Sequence, residues 1–407
     1  MPNLYENAKA KLRGTLKSSS HCAITADIWT SCTTESYITV TCHFLEDTIM
    51  RSAVLSTAVF QGAHTAQNVT DVIGGVLEDW GIRQAIVAFV TDNDKRMVLA
   101  ARLLGFEHLP CFAHTLNLTV QDGLKSSEEL AAVLLKCKNI VRYVKSSCIA
   151  TTKLREEQER VGKVPPLKLK QETPTRWNSI FYMLKRILDV GEVLTLTLSK
   201  LPRAPSPLPA EDITVIEDVV ELLEPFEEAT KLVSGDEYTT ISLAIPVVCG
   251  IAQELEERIE PNMKTEIGKE ILRECISSLH KRMDTYEERQ LTSLATLLDP
   301  RLKERAFSIR TNADRAKARL IGELSQQMSE KLVGPAAEST RQQAVPNEVA
   351  TGSRILRFLE RKRHEPSTAT SNADLMVRQY LELPPEERKS NPLKFWQSWQ
   401  CSTTPLS

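Results

Sequence analysis

The stretches Cys22-Ala-Ile-Thr-Ala-Asp-Ile-Trp-Thr-Ser31 and Ile86-Val-Ala-Phe-Val-Thr-Asp-Asn-Asp94 decide the fold. Each is a short run rich in apolar and β-branched residues, which reads as a strand, and each ends near an acid, Asp27 in the first and Asp92 in the second. Two carboxylates delivered to one sheet edge are the minimum for holding a divalent metal over a phosphodiester. Hard cations take oxygen ligands, and phosphoryl transfer needs its charge neutralised. A working two-metal site generally needs a third acid. The competing structural reading makes Asp92 a mere cap for a helix starting near Asp94, because Asp and Asn are favoured at helix N-termini. A matching Asp27 on the neighbouring predicted strand weighs against it.

Between these runs the pattern predicts strands over Tyr37 to Leu45 and Met50 to Phe60, joined by the polar turns Thr30 to Ser36 and Glu46 to Thr48. Apolar residues at Val69, Val72, Ile73, Val76 and Leu77 then follow helical periodicity up to Gly81. The resulting βββαβ order resembles that of an α/β, RNase H-like mixed sheet, which implies that the first and fourth strands lie side by side. From about Glu107 the chain turns helical, with stretches predicted at Ala113 to Gly123, Ser127 to Lys145, Asn178 to Lys200, Thr214 to Val233, Ile241 to Ile259 and Thr265 to Gln290. Proline-rich breaks at Val164-Pro-Pro166 and Leu201 to Pro209 punctuate it. No fixed-period repeat stands out, so an all-helical insertion is simpler than a solenoid.

Bulk composition excludes more than it assigns. The net charge of -2 over 407 residues gives no global pull toward nucleic acid or membrane, so partners have to be argued locally. No apolar run approaches the ~18 residues of a membrane span, and the first residues lack the pattern of a secretion signal. Nine cysteines without regular close spacing point to a reducing compartment, cytosolic or nuclear.

Three motifs carry local chemistry. Cys111-Phe-Ala-His114 sets a thiol and an imidazole one helical turn apart, but a structural zinc wants four ligands and no second Cys/His pair lies at finger spacing, so no structural zinc is expected. His114 is instead expected against the sheet, hydrogen-bonded or touching DNA. In Thr173-Pro-Thr-Arg-Trp-Asn-Ser179 the structural reading is a helix start capped by Asn178 or Ser179, with Trp177 as a hydrophobic staple. The functional reading pairs Arg176 as a phosphate fork with Trp177 as a stacking surface for an extruded base. Residues 136 to 170 hold ten Lys or Arg and three Glu, a balance of +7. Lys136, Lys138, Arg142 and Lys145 open that stretch; it is either a solvated helix face or a track for a nucleic-acid backbone.

Taken in order, Thr25-Ala-Asp-Ile-Trp-Thr-Ser31, Val90-Thr-Asp-Asn93, Cys111-Phe-Ala-His-Thr-Leu-Asn-Leu118, Thr175-Arg-Trp-Asn-Ser179 and Leu298-Asp-Pro-Arg-Leu-Lys303 resemble the signature of the hAT superfamily of DNA transposases. Their domesticated BED-type zinc finger descendants are the nearest likeness. The resemblance implies an RNase H-like domain interrupted by a helical insertion. It matches Asp27 and Asp92 to the first two acids of a catalytic triad, and Cys111, His114, Arg176 and Trp177 to positions near a DNA hairpin-handling site. The family's third acid, a Glu in a C-terminal Ser-Glu-Arg-type motif, has no counterpart here. Val377 to Glu382 and Asn391 to Trp396 resemble the opening of the family's dimerisation region, after which the sequence diverges. Residues 1 to 21 contain no Cys and only His21, so no BED finger is expected in this chain. After Asp92 the chain reads Asn93-Asp-Lys-Arg-Met97 where the family has small and amide residues, and Lys95 and Arg96 would compete with a nearby metal.

The expected map is therefore an N-terminal helix or tail over 1–21, an RNase H-like core over 22–125, a helical insertion over 126–297, a helical return over 298–333, a flexible linker over 334–353 and a truncated dimerisation region over 354–407. The expected function is that of a domesticated, nuclear, catalytically inactive transposase relative that binds DNA weakly and electrostatically, takes part in transcription regulation and assembles through its C-terminal region with a second copy or another protein. No cofactor is expected beyond Mg²⁺ at a vestigial Asp27–Asp92 site, and no membrane. Two alternatives stand beside it. One is an active transposase whose third acid comes from elsewhere, for instance between Glu360 and Glu365; the other is a protein-interaction scaffold that binds no DNA.

Overall fold

A computed structural model describes residues 2–173, 176–235, 239–333 and 369–402. The linker expected over 334–353 and the acids from Glu360 to Glu365 lie outside the described residues. The chain divides into two compact units, one over Met1–Thr285 with Leu393–Ser407, the other over Tyr286–Pro392.

In the first unit, helix α1 (Pro2–Ser18) precedes strands β1 (Cys22–Thr30), β2 (Ser36–Glu46) and β3 (Ile49–Val59). Helix α2 (Ala66–Trp80), strand β4 (Ile86–Thr91), helix α3 (Lys95–Leu104) and strand β5 (His108–Pro110) follow. The sheet order is β3-β2-β1-β4-β5, with β1 antiparallel to β2 and parallel to β4. This is the RNase H-like mixed sheet that the βββαβ pattern predicts, with element ends shifted by a residue or so; the three-residue β5 is too short to leave a periodic signal. Alternation places Cys22, Ile24 and Ala26 of β1 with Ile38, Val40 and Cys42 of β2 on one face. That face packs on Leu16, Ile73, Leu77, Met97 and Leu104, so α1, α2 and α3 share one core with it.

Local chemistry sets the boundaries of α2. Its first turn is capped by Thr65, whose hydroxyl accepts from the Asn68 amide at 3.2 Å, and it stops at Gly81, which takes a left-handed φ of 71°. On β3 a bulge leaves Leu55 without a partner on β2, and the Trp80 indole donates to its carbonyl at 3.1 Å. The bulge interrupts the ladder there and ties this edge strand to α2.

Helices α4 (Phe112–Leu124), α5 (Glu128–Ser146), α6 (Cys148–Arg160), α7 (Trp177–Asp189), α8 (Gly191–Ser199), α9 (Ala210–Val233), α10 (Ala244–Gln253) and α11 (Glu266–Met283) make up the rest of this unit's interior. Helix α6 went unpredicted because its Arg- and Glu-rich sequence shows little apolar periodicity. The single helix expected over Asn178 to Lys200 is broken at Val190 and Gly191 into α7 and α8. Two glycines fix how close the helices come. A Cβ on Gly123 of α4 would lie 2.2 Å from the Cys275 sulfur of α11, and one on Gly268 would lie 2.5 Å from a carboxylate oxygen of Asp218. Asp218 itself is wholly buried in α9, where it accepts from the Lys264 and Thr265 amides at 3.1 and 2.8 Å and from the Thr265 hydroxyl at 2.6 Å. It thus neutralises the start of α11 from a neighbouring helix.

The second unit is built around Leu298-Asp-Pro-Arg-Leu-Lys303. After the short α12 (Thr285–Glu288) come α13 (Gln290–Leu298), α14 (Arg310–Val333) and α15 (Ala369–Glu382), whose Leu297, Leu320 and Val377 share a core. Buried Asp299 accepts both arms of the Arg301 guanidinium at 2.8 and 2.6 Å. Lys303, also buried and in the left-handed region at φ 53°, donates its ammonium to the Tyr380 and Leu383 carbonyls at 2.8 and 2.6 Å. A cation on the last carbonyls of α15 meets both their unpaired acceptors and the helix dipole. The Tyr380 hydroxyl returns a hydrogen bond to Leu297 at 3.0 Å, closing the clasp. A final helix, α16 (Pro392–Ser402), belongs from Leu393 onward to the first unit.

Asp218→Ala should destabilise the chain by about 2–4 kcal/mol, since it strands two partly buried amides and a hydroxyl at a helix start. Lys303→Met should cost about 1–3 kcal/mol through the two orphaned carbonyls. Denaturant unfolding of each variant against the parent measures both, and a change within about 0.5 kcal/mol would contradict the assignment, being what an ordinary surface substitution gives.

Candidate metal and nucleic-acid site

The parallel pairing of β1 with β4 sets Ile24 opposite Phe89 and Thr25 opposite Val90. Continued by two residues, that register brings Asp27 level with Asp92, and both acids line one cleft of about 160 Å³ together with Thr30, His64, Asp94 and Arg96. Asp27 is exposed and Asp92 half-buried. The capping reading of Asp92 gives way to a different division of labour. Asp94 is the N-cap of α3, accepting from the Arg96 amide at 2.8 Å, while Asp92 accepts from the Asp94 amide at 3.2 Å and keeps its remaining oxygen for the cleft.

Sequence reasoning passed over Asp94 as a cleft acid, although an Asp directly before a predicted helix is a visible capping signal. Its carboxylate receives the Arg96 Nε at 2.8 Å and Nη2 at 2.7 Å. The hydrogen bonds from Arg96 hold its carboxyl well below the usual range, at about 2. Arg96 also reaches the His64 carbonyl at 3.4 Å. Two carboxylates are available, the third is committed to Arg96, and among the described residues no group of three or more His, Cys, Asp or Glu stands where it could hold an ion. These residues do not fit a two-metal site.

Helix α4 ties this edge to the remaining motif residues. The Cys111 amide donates to the Thr91 carbonyl at 2.7 Å, and the Asn93 side chain donates to the Thr115 hydroxyl at 3.3 Å, so the start of α4 is fastened to the loop carrying Asp92. His114 is half-buried in the first turn of this helix. One turn on, the Asn117 carboxamide accepts from the Trp177 amide at 3.4 Å. Asn117 was not singled out from the sequence; it lies three residues past His114 on the same helix face. Because six residues of helix rise about 9 Å, Arg176 is held within a few helical turns of the acids.

Trp177, Lys136 and Lys138, expected as DNA contacts, need correction. Trp177 is only 3% exposed, packed among Phe181 and Phe226 at ring-centroid distances of 6.5 and 6.4 Å, so it offers no free face for a base. Burial of so large an apolar ring in the helical core outweighs any use as an exposed platform. The residues expected to cap this helix act elsewhere: Asn178 donates to Glu227, and Ser179 closes the preceding loop by donating to Arg176 and accepting from Thr173. Arg176 itself is exposed, and no ion pair engages it among the described residues.

The basic stretch is likewise neutralised at its start. Lys136 pairs with Asp212 at 2.7 Å and Lys138 with Glu172 at 2.8 Å, whereas Arg142 and Lys145 are exposed on α5 with no ion pair among the described residues. Further along, Lys153 and Arg160 share buried Glu157 with Lys200, and Lys170 stacks over the Tyr182 ring at 4.3 Å. The cations left for a phosphate backbone are thus fewer than the +7 balance implies.

Comparison with known proteins agrees with this architecture. A family model described as the ZBED1 RNase-like domain matches residues 25–111, and one described as the ZBED1 RNase-like helical domain matches residues 109–222. Zinc finger BED domain-containing protein 4 of Homo sapiens is 26% identical over an alignment covering 100% of this chain and 35% of that protein. A Zea mays protein named as an AC transposase is 27% identical, with 74% of this chain and 39% of that protein aligned. Zinc finger BED domain-containing protein 6 of Mus musculus is 28% identical over 74% of this chain and 33% of its own length. The chain therefore spans well under half the length of these relatives. Sheet order, ordered motifs and these matches together support a hAT-type, BED-like protein.

Proposed function

We propose that this chain is a nuclear, catalytically inactive relative of hAT transposases that works by binding, in DNA or chromatin association and transcription regulation, with assembly through its C-terminal region. The observation that carries the inactive part is the state of the acids at the β1–β4 edge. Asp27 and Asp92 face the cleft, but the carboxylate beside them, Asp94, caps α3 and is held by Arg96. A nuclease that relies on metal-bound charge stabilisation loses orders of magnitude in rate when a ligand is missing. The Glu360–Glu365 alternative for a third acid falls outside the described residues. No helix among those described is long and apolar enough to cross a membrane.

DNA binding, in this reading, runs over Arg142 and Lys145 of α5 and Arg176 rather than over the whole basic stretch. Neutralised phosphates give sequence-independent affinity that falls with salt, so these few unpaired cations make a weak and salt-sensitive contact. A second reading, a protein-interaction scaffold without DNA binding, is favoured by the internal pairing of Lys136 and Lys138 and the burial of Trp177.

The two readings part in a single experiment. Replacing Arg142, Lys145 and Arg176 by Ala should weaken duplex DNA binding and lower the slope of log affinity against log salt by about 2–3. The double replacement of Lys136 and Lys138 should leave that slope within about 1 of the parent, because those charges already have partners. Equal losses in both variants would overturn the assignment of the free cations, and no binding by the parent would leave the scaffold. Nicking of supercoiled plasmid by the parent in Mg²⁺ or Mn²⁺, abolished by Asp27→Asn, would overturn inactivity.

A further inference from the structure

We infer that Arg96 is a counter-ion supplied by the chain to its own acidic cleft, closing that cleft to a divalent cation. The inference rests on the reading of the β1–β4 edge as a retired metal site and says what retired it: a resident positive charge as well as a missing acid.

Three features carry it. Arg96 sits in the first turn of α3, two residues after the Asp94 cap, and its fork meets that carboxylate through Nε and Nη2 at 2.8 and 2.7 Å. A planar guanidinium held this way is oriented, not merely nearby. Its other terminal nitrogen reaches the His64 carbonyl at 3.4 Å, so the side chain is anchored on two sides of a cleft that also contains Asp27 and Asp92. The negative charge of Asp92 adds to that of Asp94 in favouring the charged guanidinium. Lys95, the first residue of α3, is exposed next to it in sequence. A divalent ion entering between Asp27 and Asp92 would meet this fixed charge. At a separation of about 6 Å, repulsion between a single and a double positive charge weakens binding by about tenfold even at the dielectric constant of water.

The test uses the full chain and Mn²⁺ alone, followed by electron paramagnetic resonance of the free ion. Arg96→Gln removes the charge while leaving the backbone amide that Asp94 caps, so α3 should still form; Arg96→Lys keeps the charge without the fork. We expect R96Q to bind Mn²⁺ about tenfold or more tightly than the parent, with R96K close to the parent. The gain in R96Q should vanish when Asp27→Asn and Asp92→Asn are added. Equal affinity in R96Q and the parent overturns the inference, as does an equal gain in R96K or a gain that survives loss of both acids. Plasmid nicking on the same samples separates the two readings: tight Mn²⁺ binding by the parent without nicking sinks the role of Arg96 and leaves inactivity standing, whereas nicking by the parent sinks inactivity.

Discussion

The parallel register of β1 against β4 is the constraint on which the rest of the molecule hangs. Side chains on adjacent parallel strands share a face only when the register is kept, and a slip by one residue would turn either acid to the other side of the sheet. Burial enforces it. Cys22, Ile24 and Ala26 on β1 must reach the core shared with α2 and α3, as must Ile86 and Phe89 on β4, and that requirement leaves Asp27 and Asp92 together on the neighbouring strands. The acid pair is thus a by-product of core packing as much as of chemistry, and it would survive the loss of catalysis for as long as the sheet folds.

Helix α4 extends that order outward. Its N-terminal turn is bonded to Thr91 and Asn93, its middle to the Trp177 amide, and its end is pressed onto α11 at Gly123. Each family-like motif thereby turns out to be a joint: Cys111 to Asn117 joins sheet to helices, Arg176 to Ser179 closes a loop and starts α7, and Asp299 to Lys303 clasps α15 within the second unit. Motifs with such structural duties stay recognisable whether or not the chemistry around them persists, which is why recognising them identifies ancestry more securely than activity.

The sheet was legible because strands β1 to β4 alternate or run apolar at their natural period and are separated by polar turns. Helices with a clear apolar stripe, such as α2, α5 and α9, were legible for the same reason. The sequence was silent where stability comes from distant partners. Helix α6 buries only Ala150 and Leu154 as apolar residues and meets Lys200 of a later segment at Glu157, the break before Gly191 has no proline to announce it, and Asp218 meets the start of a helix 47 positions further along the chain. At the candidate site the acids were legible, but the division between a cap at Asp94 and a cleft ligand at Asp92 was not, since both are Asp within one short loop.

Charge shows the same limit in sharper form. A balance of +7 within 35 residues suggests a basic surface only if those cations lack partners, and for the two that open the stretch the partners lie outside it: Asp212 for Lys136 and Glu172 for Lys138. Surface ion pairs contribute little stability each, yet every one removes a phosphate contact, because a cation held at under 3 Å by a carboxylate has already shed the anion that DNA binding would exploit. Arg96 obeys the same rule in the opposite sense. There the chain supplies the cation and the cleft supplies the anions, and what is displaced is a metal ion instead of a phosphate. The electrostatic capacity of this fold is therefore set by which charges remain unmatched after folding, a quantity fixed by tertiary pairing and invisible to any count along the chain.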